Sequence, residues 1–303
     1  MQVRLVLILF VFFGLISCQQ DVVGIDGNEP FSNFNISDLK IENYVNRLYI
    51  DIIGREPLDE ESVAEVDSLK ASGLDRASRM QIIQKLMTDT TFREFEFSYK
   101  AAYVQNLYNL AKVRCLEGVA DSEMNRRIGI ARNGAFRDSL EENWDGYYEK
   151  LNEIRRYEAT LDSRDALLND QIRYHQMYAF MIDNGVYDQI NMNTFNFVRA
   201  AFDELLWRLP TDQEFDRAFN MIEFNQAEEI FGQLGSDKND FIRILTESQA
   251  MYEGMIVWAY QVLLNRTPDP AEVVTLLPIY LESQNINDVI AEILVTDEYA
   301  NFR

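Results

Sequence analysis

A pattern of eighteen residues that occurs three times sets the strongest limit on how this chain can fold. Residues 44–61 read YVNRLYIDIIGREPLDEE, residues 197–214 read FVRAAFDELLWRLPTDQE, and residues 255–272 read MIVWAYQVLLNRTPDPAE. Ahead of Arg55 the apolar positions are Tyr44, Val45, Leu48, Tyr49, Ile52 and Ile53. Ahead of Arg208 the matching positions are Phe197, Val198, Ala201, Phe202, Leu205 and Leu206. Ahead of Arg266 they are Met255, Ile256, Ala259, Tyr260, Leu263 and Leu264. Steps of one, three and four place each set on one face of a helix. The arginine is expected in the last turn, where a cation meets the negative helix end and its unpaired carbonyls. Pro57, Pro210 and Pro268 stand two positions on, and a proline drives the residue before it out of the α region. A second helix starts at once. Thr211 with Glu214, and Asp269 with Glu272, have capping-box spacing, and Pro270 suits the first helical position. In the first copy Leu58 holds the cap position, so a cap shifted to Asp59 is expected there. Three copies of one internal grammar predict an all-α fold of three tandem helical modules.

The modules are expected at residues 38–100, 191–254 and 255–303, the last two almost without a linker. Residues 101–190 lack the motif and read as a helical insertion. Leu140, Trp144, Tyr147, Tyr148, Leu151, Ile154 and Tyr157 keep helical steps and predict one long charged helix over 136–161. A further helix is expected over 164–182, which carries His175. Together they read as a long helical hairpin. Strand signals are nearly absent.

The N-terminus points to a place rather than a fold. Arg4 precedes an apolar run over residues 5–15, followed by Leu15-Ile16-Ser17-Cys18. The run is shorter than the roughly 20 residues a membrane helix needs, and its basic start suits a secretory signal over 1–17. Leu-x-Ser-Cys at its end resembles the lipobox of bacterial lipoproteins. That resemblance implies cleavage before Cys18 and lipidation of its sulfur, hence a membrane anchor. Residues 18–37 are polar, contain Gly and Pro, and read as a flexible tether. Gln19 in place of Asp departs from the inner-membrane retention signal of enterobacterial lipoproteins and favours the outer membrane. Asp21 is a thin version of the acidic export signal of Bacteroidota lipoproteins, and both the periplasmic face and the cell surface stay open.

Composition narrows the chemistry. With 303 residues, 47% of them apolar, the chain can bury a sizeable core. Its 50 acidic against 28 basic residues give a net charge of −22, which argues against nucleic acid or an anionic membrane surface as ligand. His175 is the single histidine, so a multi-histidine metal site and an assignable triad are both out of reach. There is no Cys-x-x-Cys-His, no P-loop and no Gly-x-Ser-x-Gly. No catalytic residue, metal or cofactor is expected, and Cys115 reads as a small buried apolar side chain. The candidates for ligand contact are the aromatics Trp144, Tyr147 and Tyr148.

The apolar helix, the Leu/Ile-x-Arg-x-Pro signature (Arg55, Pro57, Arg208, Pro210, Arg266, Pro268) and the acidic helix start resemble a family of bacterial extracytoplasmic helical repeats of unknown function. Those repeats are in turn similar to phycobilisome linker domains. The first copy is also similar to the N-terminal domains of planctomycete cytochrome-associated proteins. The resemblance covers the three modules and not the insertion. It implies a helical scaffold or protein-binding role, with the motif arginines as structural caps and no catalytic residue to transfer. The resulting expectation is an outer-membrane-anchored, non-enzymatic interaction subunit of a cell-envelope assembly, with an envelope protein as partner. The alternative is a surface lipoprotein that binds glycan or peptide through exposed aromatics.

Overall fold

Each apolar stripe is buried where the spacing placed it. In a computed structural model, which describes residues 36–93 and 97–302, the three stripes lie on helices α1 (Asp38–Ile53), α9 (Thr194–Leu206) and α12 (Gln249–Leu264). Every one of the eighteen predicted positions is buried except Leu264, which is half-buried. The expected signal peptide, Cys18 and the tether as far as residue 35 lie outside the described residues.

The end of each stripe differs from expectation. Gly54, Trp207 and Asn265 adopt positive φ (78°, 54° and 52°) and close the three helices. Their N–H groups return to Ile50, Asp203 and Gln261 at 3.0, 3.1 and 3.1 Å, a left-handed cap. The motif arginine therefore stands one residue beyond the cap and not in the last helical turn.

The second helices follow as read: α2 (Asp59–Ala71), α10 (Asp212–Phe224) and α13 (Pro270–Ser283). Thr211 Oγ1 accepts from Glu214 N at 3.3 Å and Asp269 Oδ1 from Glu272 N at 2.9 Å. In the first copy the cap is Leu58 itself, not Asp59. Leucine has no acceptor, so only the return half forms, from Leu58 N to Glu61 Oε2 at 2.8 Å.

Third helices complete the units: α3 (Arg76–Thr88), α11 (Lys238–Glu247) and α14 (Ile286–Leu294). Asp237 caps α11 by accepting from Asp240 N at 2.9 Å. A fourth helix then crosses the first. In module one this is α4 (Tyr99–Leu116), which carries the module past the boundary expected at residue 100 and packs on α1 and α3. In module two it is α12, packed on α9 and α11, so α12 closes one module and opens the next. At the α9–α12 crossing sits Gly254, where a Cβ would lie 2.4 Å from Leu205 O and 2.7 Å from Leu206 Cα.

Residues 37–303 form one compact unit, closed where the third module meets the first. Tyr44 Oη donates to Leu294 O at 3.1 Å, and Tyr299 Oη donates to Asp51 Oδ2 at 2.8 Å. Arg47 donates to Tyr299 O at 2.8 Å and to Leu263 O. Tyr299 lies on the short α15 (Asp297–Ala300).

The insertion holds α5 (Asp121–Leu140), α6 (Trp144–Leu168), α7 (Tyr174–Ile182) and α8 (Gly185–Asn191). Helices α5 and α6 make a hairpin, but not from the pair expected over 136–161 and 164–182. The single helix expected over 136–161 is split at 141–143, where Glu142 has φ 56° and Asn143 caps α6 by accepting from Gly146 N at 3.3 Å. The helix expected over 164–182 is split at 169–173, where Asp170 has φ 57°. A second departure is a two-stranded ribbon, β1 (Glu228–Ile230) antiparallel to β2 (Gln233–Gly235), turning through Phe231 and Gly232 at φ 51° and 75°. The other elements of the described residues are helices, and the fold is all-α.

Candidate interaction surface

The motif residues build a clamp between helices. Arg55 holds Glu61 with both guanidinium ends, at 2.7 and 2.9 Å; Arg208 holds Glu214 at 2.7 and 2.6 Å, and Arg266 holds Glu272 at 2.8 and 2.6 Å. In each copy the arginine also donates to the carbonyl of the next residue, Glu56, Leu209 or Thr267. Each glutamate accepts from the N–H of the following helix's cap residue at 2.8 Å. Each arginine lies over the last aromatic of its stripe, 5.6 Å from the Tyr49 ring, 5.4 Å from Phe202 and 4.9 Å from Tyr260. Burial opposes ionisation of Glu61, but its bonds to Arg55, Tyr99 and Leu58 N–H prevail and hold it at about 2. The Arg208 bond likewise draws Glu214 down to about 2. The three prolines sit at the bend between clamp arginine and cap, with Pro268 buried and the other two half-buried. These six residues are therefore occupied in holding the turn.

The single histidine and Cys115 are both buried. His175 is buried, its Nε2 3.4 Å from Tyr252 Oη, and burial pulls its pKa down to about 4. Burial pushes the Cys115 thiol well up, so it stays protonated. Beside it, where α4, α8 and α9 meet, Glu204 faces Tyr187 and Cys115, and burial lifts Glu204 to about 7. Among the described residues no group of three or more His, Cys, Asp or Glu could hold a metal ion, and no helix is long and apolar enough to cross a membrane. A cleft of about 640 Å³ opens beside Gly54, Arg55, Gln105, Asn106 and Arg164. Its polar groups are largely engaged: Asn106 Nδ2 donates to Asp51 O and Ile52 O at 3.0 and 3.2 Å, and Arg55 holds Glu61.

One apolar surface left open is the tip of the α5–α6 hairpin. Trp144 is 53% and Tyr148 65% exposed, and Tyr147 is half-buried between them. Trp144 and Tyr147 meet edge to face with centroids 5.9 Å apart, and Tyr147 and Tyr148 at 5.4 Å. On the facing helix Phe136 and Leu140 are 65% and 69% exposed. The structure thus brings the three candidate aromatics together, and they line none of the clefts described here. The apolar steps of the helix expected over 136–161 are buried only at Ile154 and Tyr157, since Leu140, Trp144, Tyr148 and Leu151 are all exposed. Phe136 was not singled out as a surface residue; its spacing of four from Leu140 was the available signal. Four exposed acids (Glu141, Glu142, Asp145 and Glu149) rim the patch.

No family model, curated protein or solved structure matches this chain.

Proposed function

We propose that this protein is a lipid-anchored, non-enzymatic interaction subunit of a cell-envelope assembly at the outer membrane, and that the tip of its long hairpin is the docking element. The observation that carries this reading is the exposed tip of Phe136, Leu140, Trp144 and Tyr148. Exposed aromatic and aliphatic groups on a convex element suit a protein partner, whereas a small ligand needs a concave site. The acidic rim suits a partner whose contact face is apolar at the centre and basic at the edge. The lipobox-like Leu15-Ile16-Ser17-Cys18 supports the anchor, and the likeness of the modules to extracytoplasmic helical repeats supports the scaffold role. The clamp residues serve the modules, and the hairpin serves the partner.

The test is site-specific photocrosslinking in the native host. A benzophenone side chain at position 148 should give one adduct of discrete mass, and the same group at the exposed Val63, on α2, should not. Adducts that are identical at the two positions, or absent at 148, would overturn the proposal.

A further inference from the structure

A chain with a net charge of −22 would be expected to show water an acidic surface. The flank of the α5–α6 hairpin departs from this. A cleft of about 560 Å³ between the two helices is lined by Arg126, Arg127, Arg137 and Lys150, with Glu153 as the acid of its lining. Most of these cations are already engaged. Glu123 takes Arg126 at 2.7 and 2.7 Å and Arg127 Nε at 3.0 Å, and Asp138 takes Lys150 Nζ at 2.7 Å. Arg127 also donates to Gln189 Oε1 at 2.8 Å. The side chain of the exposed Arg137 has no hydrogen bond or ion pair among the described residues, although its charge acts on the neighbouring Asp138 and Lys150. Its guanidinium leaves the four cations one ahead of Glu123, Asp138 and Glu153.

A glycine makes room along the wall of the cleft. Gly134 lies inside α5, where glycine costs about 1 kcal/mol relative to alanine. A Cβ there would sit 2.7 Å from both Cδ and Cε of Lys150. The missing side chain lets the lysine stem lie across α5, with its ammonium on Asp138. Asn133 and Gln189 add amides, which donate to and accept from hydroxyls.

We propose that this cleft binds an oxyanion carried on a hydroxylated ligand, in the class of phosphorylated or carboxylated sugars. Arg137 supplies an unoccupied planar fork that matches two oxygens of a phosphate or carboxylate. Lys150 and Arg127 flank it, and the amides and Glu153 meet the hydroxyls. The same chemistry is presented by a free sugar phosphate and by a phosphoglycerol lipid headgroup.

The full chain is titrated with glucose 6-phosphate, with glucose, and with dihexanoyl phosphatidylglycerol below its micellar concentration, each followed calorimetrically. Saturable binding of glucose 6-phosphate but not of glucose supports a soluble ligand. Binding of the short-chain lipid alone supports the site and assigns the oxyanion to a headgroup. In either case Arg137→Gln should weaken binding by about tenfold or more, while Arg132→Gln on the same helix, paired outside the cleft with Glu158 at 2.6 Å, should leave it unchanged. Arg137 is exposed and unpaired, so its loss should not unfold the chain, and an unchanged melting temperature confirms that. No saturable binding of any of the three up to 10 mM, glucose binding as well as its phosphate, or equal binding by Arg137→Gln would each overturn the proposal.

Discussion

At the scale of single residues, the module turn rests on a carboxylate that does two tasks. Glu61, Glu214 and Glu272 each accept a guanidinium fork and a cap N–H, joining the exit of one helix to the entry of the next. The first copy is the least complete, because Leu58 stands at the cap with φ −68° and ψ 158° but offers no acceptor. Leu58 is 52% exposed, so Leu58→Thr gives up little burial and supplies the missing half of the box. A gain of about 1 kcal/mol is expected, read as a higher melting temperature; no gain would show that this turn is already saturated. Glu204 offers a pH test. Its folded pKa near 7 stands above the ordinary value of 4.5 because it is buried. The unfolded chain therefore ionises first, and stability falls as pH rises from 4.5 to 7 and stays lower above that. Glu204→Gln should stabilise the protein by on the order of 1–3 kcal/mol at pH 8 and have no effect below pH 4.5, as measured by denaturant unfolding at both pH values.

At the scale of elements, the close crossing of α12 over the end of α9 depends on Gly254. Gly254→Ala would press a methyl against the Leu205 carbonyl, and a loss of about 1–3 kcal/mol is expected, measured by thermal unfolding. That crossing was hidden in the sequence, since a glycine inside a helical pattern gives no address for its neighbour. The stripes were legible, because burial of a helix face repeats with the helix period, and every position but Leu264 is buried. The arginine's partner was not: Arg55 and Glu61 are six apart and meet across a bend, outside any spacing rule for one helix. The hairpin was legible as helix pairs but not in its breaks. The steps Leu140, Trp144, Tyr148 and Leu151 run on through the turn, and the break is carried by Glu142 and Asn143, whose signal is weak beside that rhythm. The same rhythm does not tell an exposed apolar face from a buried one. The β1–β2 ribbon has three residues per strand, too short for alternation to register, and Phe231-Gly232 was its one turn signal.

At the scale of the whole molecule, the modules close on themselves through α15. Tyr299 is 1% exposed, bonds Asp51 and lies 4.0 Å beneath the Arg47 guanidinium, and Arg266 reaches from its own clamp to Glu298 at 2.6 Å. Tyr299→Ala should cost about 3–5 kcal/mol, lower the melting temperature and raise amide exchange in α1, although α1 and α15 lie at opposite ends of the sequence. Loss of protection confined to the last helix would mean that the ends do not depend on one another. The repeated arginine–glutamate clamp is the device that makes each module. Its most direct test is a double-mutant cycle on Arg55 and Glu61, the most shielded of the three pairs with side chains 28% and 12% exposed. Unfolding free energies are measured for Arg55→Ala, Glu61→Ala and the double variant. A coupling of about 1 kcal/mol or more, as expected for a partly shielded two-pronged pair, supports the clamp; strictly additive losses would contradict it.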